Sequence, residues 1–254
     1  MADETIPDET VADYDVRSPA SRTLLTVLGT VLAVVLVGGL VLGASILSRE
    51  TSLSTSTVEV EDAAQIVIDA GETDIRLVEG DDDVVTIRAR ITSGLRDTRF
   101  ELGRKGDEIK LDSSCQTWLS PGCGVLATLE VPRGLPVVVR ASAGDIGAEA
   151  IAPGVLTVET GSGNISVTDL EVDEFSARSA SGDVRAAFAT QPIGLKAATD
   201  SGDIRAEVPG GERTYVVVTK SKSGDVSSGI ESDKGAEGFV NMTTDSGDIT
   251  LDGG

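Results

Sequence analysis

Six times in its second half, this chain repeats a short signature centred on glycine: Ser142–Ile146, Gly161–Ile165, Ala180–Val184, Asp200–Ile204, Lys222–Val226 and Asp245–Ile249. The glycines Gly144, Gly163, Gly182, Gly202, Gly224 and Gly247 lie 19, 19, 20, 22 and 23 residues apart. A period this regular means that one small unit is stacked many times. Such a chain builds an extended scaffold more readily than one globular core.

Aligned on glycine, the next position holds Asp145, Asn164, Asp183, Asp203, Asp225 and Asp248. The one after holds Ile146, Ile165, Val184, Ile204, Val226 and Ile249. Upstream, Thr160/Val158, Ser179/Ala177, Thr199/Ala197 and Thr244/Met242 occupy the third and fifth positions back, with polar residues between them. This alternation predicts a short strand on each side of the turn, with the six β-branched residues stacked in one inward column. Glycine reaches positive φ without a Cβ clash, and Asp or Asn can bond its own backbone to cap the turn. Two arrangements fit: a meander in which each turn closes a hairpin, or a solenoid in which each turn is a corner. The constant period favours the solenoid. So does the poor closing pair that Asp200 and Asp203 would make.

The chain is 254 residues long, only 3% aromatic, and has 29 glycines. Its net charge of −21 opposes nucleic-acid binding, which needs clustered Lys and Arg. The uncharged, Leu- and Val-rich run 23–48 is long enough to span a bilayer as a helix. A cleaved signal peptide would need a basic start, whereas residues 1–22 carry six acids against Arg17 and Arg22. The expected organisation is therefore an acidic disordered cytoplasmic tail (1–22), a retained transmembrane helix (23–48), a Ser/Thr-rich linker (49–57) and an extracytoplasmic β-repeat domain (58–254). That domain divides into an irregular half, 58–140, and a regular half, 141–254. Arg17 and Arg22 place the N-terminus inside. Gly39 and Gly43 form a Gly-x-x-x-Gly pair that could bring two membrane helices together.

Cys115 and Cys123 enclose a short polar loop, and in an exported domain they suggest one disulfide. Zinc is not expected, because one cysteine pair without histidine cannot complete a structural site. The absence of histidine also removes Ser-His-Asp and Cys-His catalysis. Paired carboxylates, Asp200/Asp203 and Asp245/Asp248, raise the alternative of a polysaccharide-cleaving β-helix enzyme. Such clefts usually need aromatic platforms, which this composition lacks. Aspartates stacked on successive turns could also attract calcium. Solvated turn caps are the simpler reading, and no cofactor is expected.

The run Leu129–Ile146 (LEVPRGLPVVVRASAGDI), followed by SASGDV, TDSGDI and SKSGDV, resembles a bacterial β-strand-repeat family of unknown function known as "putative adhesin". The likeness covers about residues 58–254. It implies an all-β solenoid-type domain in the cell envelope and carries no catalytic residues. A membrane-tethered, non-catalytic interaction scaffold is thus the first expectation. An envelope-stress sensor accessory is the second, and the polysaccharide enzyme the third.

Overall fold

The computed structural model describes residues 28, 31–37, 50–59, 64–80, 84–93, 98–105, 108–114 and 124–254. The irregular half supplies β1 (Glu50–Glu59), β2 (Ile66–Asp69), β3 (Asp74–Glu79), β4 (Val84–Ser93), β5 (Arg99–Lys105), β6 (Glu108–Ser114) and β7 (Gly124–Val131). Then follow β8 (Val137–Ala143), β9 (Ile146–Glu149), β10 (Val155–Ser162), β11 (Ile165–Leu170), β12 (Glu174–Ser181) and β13 (Val184–Phe188). The last are β14 (Gly194–Ser201), β15 (Ile204–Val208), β16 (Tyr215–Ser221), β17 (Val226–Ser228), β18 (Gly238–Ser246) and β19 (Ile249–Gly253). Residues 31–37 are helical, with exposed Val31, Leu32, Val34, Val35, Leu36 and Val37. Among the described residues no helix is long and apolar enough to cross a membrane. Most of 23–48, including Gly39 and Gly43, lies outside them, as do Cys115 and Cys123.

The strands form two large sheets, one of ten strands and one of nine. The strands flanking each Ser-Gly-Asp turn belong to different sheets. β10 pairs with β8 and β12, whereas β11 pairs with β9 and β13, all in parallel. No hairpin closes at the turn, so the meander alternative is excluded. Each unit instead contributes one strand to each sheet and lies parallel to its neighbours.

Strand alternation sets the core between the sheets. Leu156, Val158 and Thr160 of β10 point inward, and Thr157 and Glu159 outward. Ile146, Ile165, Val184, Ile204 and Ile249 are in register and buried, with Ile75 of β3 extending the column. A second inward column holds Ile66, Val137, Leu156, Phe175, Leu195 and Val240. Each such side chain contributes about 1.5–3 kcal/mol on burial. Phe175 and Phe188 meet edge to face with centroids 5.6 Å apart.

Val226 departs from the expected column. It is in register beside Ile249 but 45% exposed. The cause is the order of the units: β18 lies between β14 and β16, and β19 between β15 and β17. The sixth unit has slipped between the fourth and fifth, leaving the fifth at the end of the stack. Side-chain chemistry accounts for the swap. The fifth unit offers Thr219, Ser221 and Ser228 where the sixth offers Met242, Thr244 and Leu251. The more apolar unit takes the enclosed place, and the polar one serves as the cap that a stack of repeats needs.

The irregular half, 58–140, continues the parallel stack only in part. β2 and β3 do make a unit, in register with β8 and β9. β4 and β7, however, extend the ten-stranded sheet as an antiparallel pair, and β5 joins β6 antiparallel in the other. Residues 50–57, expected within a linker, lie in β1, paired with β4 along its whole length. Their Ser and Thr side chains suit a strand exposed on both faces.

Met242 is fully buried only because the sixth unit is intercalated. Met242→Ala should cost about 2–5 kcal/mol by the cavity it leaves. Thr219→Ala, in the equivalent place of the outer unit, should cost less than about 1 kcal/mol. Equilibrium unfolding in urea measures the difference. Equal costs would mean that the units stack in chain order.

Candidate functional site

The Ser-Gly-Asp turns form one long edge where the chain passes from the nine-stranded sheet to the ten-stranded one. All six glycines there have positive φ, from 120° at Gly144 to 150° at Gly163. A Cβ on Gly163 would lie 2.1 Å from the carbonyl oxygen of Gly144, and one on Gly202 2.2 Å from that of Gly182. The same contact recurs at Gly182, Gly224 and Gly247. Glycine is required here twice over, by the backbone conformation and by the closeness of the neighbouring unit.

That closeness lets hydrogen bonding continue around the corner. Gly163 N–H donates to Ser181 O at 3.0 Å, and Ile165 N–H to Asp183 O at 2.9 Å. The N–H of the Asp or Asn after each glycine, which would otherwise be left over, donates to the side-chain Oδ1 of the Asp or Asn in the adjoining unit. Asp145 N–H reaches Asp74 Oδ1 at 3.0 Å, Asn164 N–H reaches Asp145 Oδ1 at 2.8 Å, and Asp183 N–H reaches Asn164 Oδ1 at 3.0 Å. The series continues from Asp203 to Asp183 (3.0 Å), Asp248 to Asp203 (2.8 Å) and Asp225 to Asp248 (2.8 Å). The side chains therefore bond between units, whereas the sequence suggested caps of their own turns. The bonds also follow the spatial order of the units, with the sixth before the fifth.

A second ladder lies just inside. Thr160, Ser179, Thr199 and Thr244 are buried. Ser179 Oγ donates to Gly163 O at 3.1 Å, Thr199 Oγ1 to Gly182 O at 3.1 Å, Thr244 Oγ1 to Gly202 O at 3.2 Å, and Ser221 Oγ to Gly247 O at 2.8 Å. The sequence marked these positions as inward but gave no role to their hydroxyls. The recurrence of Ser or Thr three residues before glycine was the available signal. Asp74 likewise begins the acid ladder, although no Ser-Gly precedes it.

The paired carboxylates are already engaged. Asp200 lies 3.6 Å from Arg178, and Asp245 lies 2.7 Å from Lys222. Asp203 and Asp248 accept the backbone bonds just described. At Asp183, the N–H of Asp203 is the main influence holding the carboxyl below its ordinary value; burial opposes it, and the hydrogen bond and charge of Arg185 add to the lowering. Among the described residues no group of three or more His, Cys, Asp or Glu is placed to hold a metal ion. An open cavity of about 450 Å³ on the opposite edge is lined by Glu79, Arg133, Ala150, Ile151, Asp169 and Glu171. It holds the Glu79–Arg133 ion pair at 2.7 Å. Its lining carries three carboxylates, Glu79, Asp169 and Glu171, and no Ser, Thr, Cys or Lys.

Residues 135–252 match the family described as Toastrack DUF4097. The crystal structure of a "putative cell adhesion protein" from Clostridium sporogenes is similar with a TM-score of 0.50 at 11% identity, over 81% of this chain and 100% of that one. At that identity the likeness shows the fold alone. A "putative adhesin" from Bacteroides fragilis aligns with a TM-score of 0.44 at 13% identity, over 80% of this chain and 97% of that one. No curated protein matches the chain.

Two outcomes follow from the corner. Gly202→Val should destabilise by at least about 2 kcal/mol, combining backbone strain with overpacking, while Ser201→Ala changes stability by less than about 0.5 kcal/mol. Thermal unfolding of the two variants distinguishes them. Asp183 has a lowered folded pKa, so its stabilisation is complete above the unfolded value of 3.8 and is lost as pH falls through the folded one. Asp183→Asn should keep the ladder near neutral pH, since Asn164 already serves as a rung, and should show a shallower loss of Tm below about pH 4. Identical acid profiles would remove Asp183 from the titrating set.

Proposed function

We propose that the chain is a non-catalytic, adhesin-like scaffold of the cell envelope: a β-solenoid held to the membrane by residues 23–48 and presented outside the cell. The observation that supports this most strongly is how the corner spends its polar groups. The aspartates and hydroxyls that could have formed a reactive cluster are committed one by one to joining adjacent units. They lie spread along an edge and do not converge on a substrate. The fold shared with the adhesion-named structure from Clostridium sporogenes agrees with the reading, as does a surface of charged rows. In these rows Arg140 faces Glu159 at 3.6 Å and Arg205 faces Asp252 at 2.7 Å. A repeat scaffold offers a long regular surface, and its partners meet many weak contacts along it instead of one deep pocket.

The membrane-bound chain should show no hydrolysis of cell-wall glycans, peptides or phosphate esters. With a net charge of −21, it should bind polylysine weakly and release it as salt rises, because exposed charges are screened over about 8–10 Å at physiological ionic strength. Turnover that disappears in Asp203→Asn or Asp248→Asn would overturn the scaffold reading. Protease accessibility of residues 50–254 on intact cells tests the orientation: protection on intact cells together with cleavage after lysis would reverse it.

A further inference from the structure

The two sheets present four outer edges: β1 and β17 on one sheet, β16 and β5 on the other. Exposed edges invite pairing with other chains, and proteins block them with charge, brevity, proline or bulges. Three of the four are blocked in this way. β5 carries Arg99, Arg104 and Lys105, β16 carries Lys220, and β17 has only three residues. β1 is different. Its sequence ETSLSTSTVE has no Lys, Arg or Pro, and its register with β4 is unbroken from Glu50 to Glu59. Leu53 stands 74% exposed within it.

We propose that β1 is a homodimer edge, pairing antiparallel with β1 of a second copy across a two-fold axis. The argument for a second copy lies in where the charges fall. Successive residues of a strand turn their N–H and C=O groups to opposite edges. When two identical open edges meet about a two-fold, opposed residues must belong to the same alternate set. Their numbers are then both odd or both even. Glu50 and Glu59 therefore never face each other. The central registers place Ser54 opposite Ser54 or Thr55 opposite Thr55. They set Glu50 against Val58 in the first case and Glu59 against Thr51 in the second. In the first register the remaining pairs are Ser, Thr and Leu, and in the second Ser52 also falls opposite Val58; Ser and Thr are able to bond across strands. Position in the chain agrees: β1 begins only two residues after the apolar run 23–48 ends, and Gly39 and Gly43 of that run suit close approach of two helices. The edge proposal does not depend on that helix contact, and separate variants test the two.

The experiment uses the full chain in detergent micelles, with the oligomer followed by sedimentation equilibrium. Wild type should be dimeric, and Thr55→Lys, on an exposed position, should raise the dissociation constant at least about tenfold, equivalent to about 1.4 kcal/mol. In a Cys115→Ser/Cys123→Ser background, either Ser54→Cys or Thr55→Cys should give a disulfide-linked dimer. Val218→Cys on the β16 edge should not. Support requires both the weakened dimer and the edge-specific cross-link, and failure of either overturns the proposal. If Gly39→Leu/Gly43→Leu abolishes the dimer while Thr55→Lys leaves it intact, association belongs to the helices and the edge is refuted.

Discussion

Adjacent units approach so closely at the corner that only hydrogen fits between one glycine α-carbon and the next unit's carbonyl oxygen. The Gly144–Gly163–Gly182–Gly202 approach, near 2.1 Å for a hypothetical Cβ, keeps both sheets in one register. If a unit stood off by the width of a methyl group, the parallel ladders on either side could not both keep their roughly 4.8 Å strand spacing. The inward columns would then lose contact. The steric constraint at the corner and the hydrophobic core are thus one requirement met in two places.

Closeness creates a polar problem, and the surrounding residues solve it. A backbone turning sharply between two sheets leaves N–H and C=O groups that neither sheet can pair, and an unpaired buried group costs about 1–3 kcal/mol. The aspartate side chain takes the spare N–H on the outside, and the Ser or Thr hydroxyl supplements the glycine carbonyl on the inside. Each bond crosses from one unit to the next. The stabilisation therefore belongs to the interfaces between units, as expected for a structure whose repeats cannot fold singly.

Much of this was legible in the sequence. Period, strand alternation and the inward column could be read directly, because each depends on residues near one another in the chain. Ile146, Ile165, Val184, Ile204 and Ile249 are buried at one offset from their glycines. What could not be read is pairing between distant segments. Nothing local to Asp145 or Asp203 tells whether its carboxylate bonds its own turn or the unit beside it. The antiparallel β4–β7 pair and the strand character of Glu50–Glu59 likewise depend on partners far away in sequence. Polar Ser/Thr segments read as linkers until a partner strand is known.

The exchanged order of the last units follows from the same interface logic. Chain order favours stacking the fifth unit on the fourth, because the shorter connection costs less loop entropy. That preference is weak, since doubling a loop costs only about 0.6 kcal/mol. Enclosing Val240, Met242 and Leu251 in place of Val217, Thr219 and Ser228 outweighs it, because each additional buried aliphatic side chain contributes about 1.5–3 kcal/mol. The outer place then falls to the unit with Lys220, Lys222 and three consecutive exposed residues in β17. A short, charged, hydroxyl-rich end discourages a further unit or a second molecule from continuing the parallel stack. Growth is closed at the C-terminal end by composition. Among the described sheet edges, β1 keeps its charged residues, Glu50 and Glu59, to its two ends and leaves its middle open to further strand pairing.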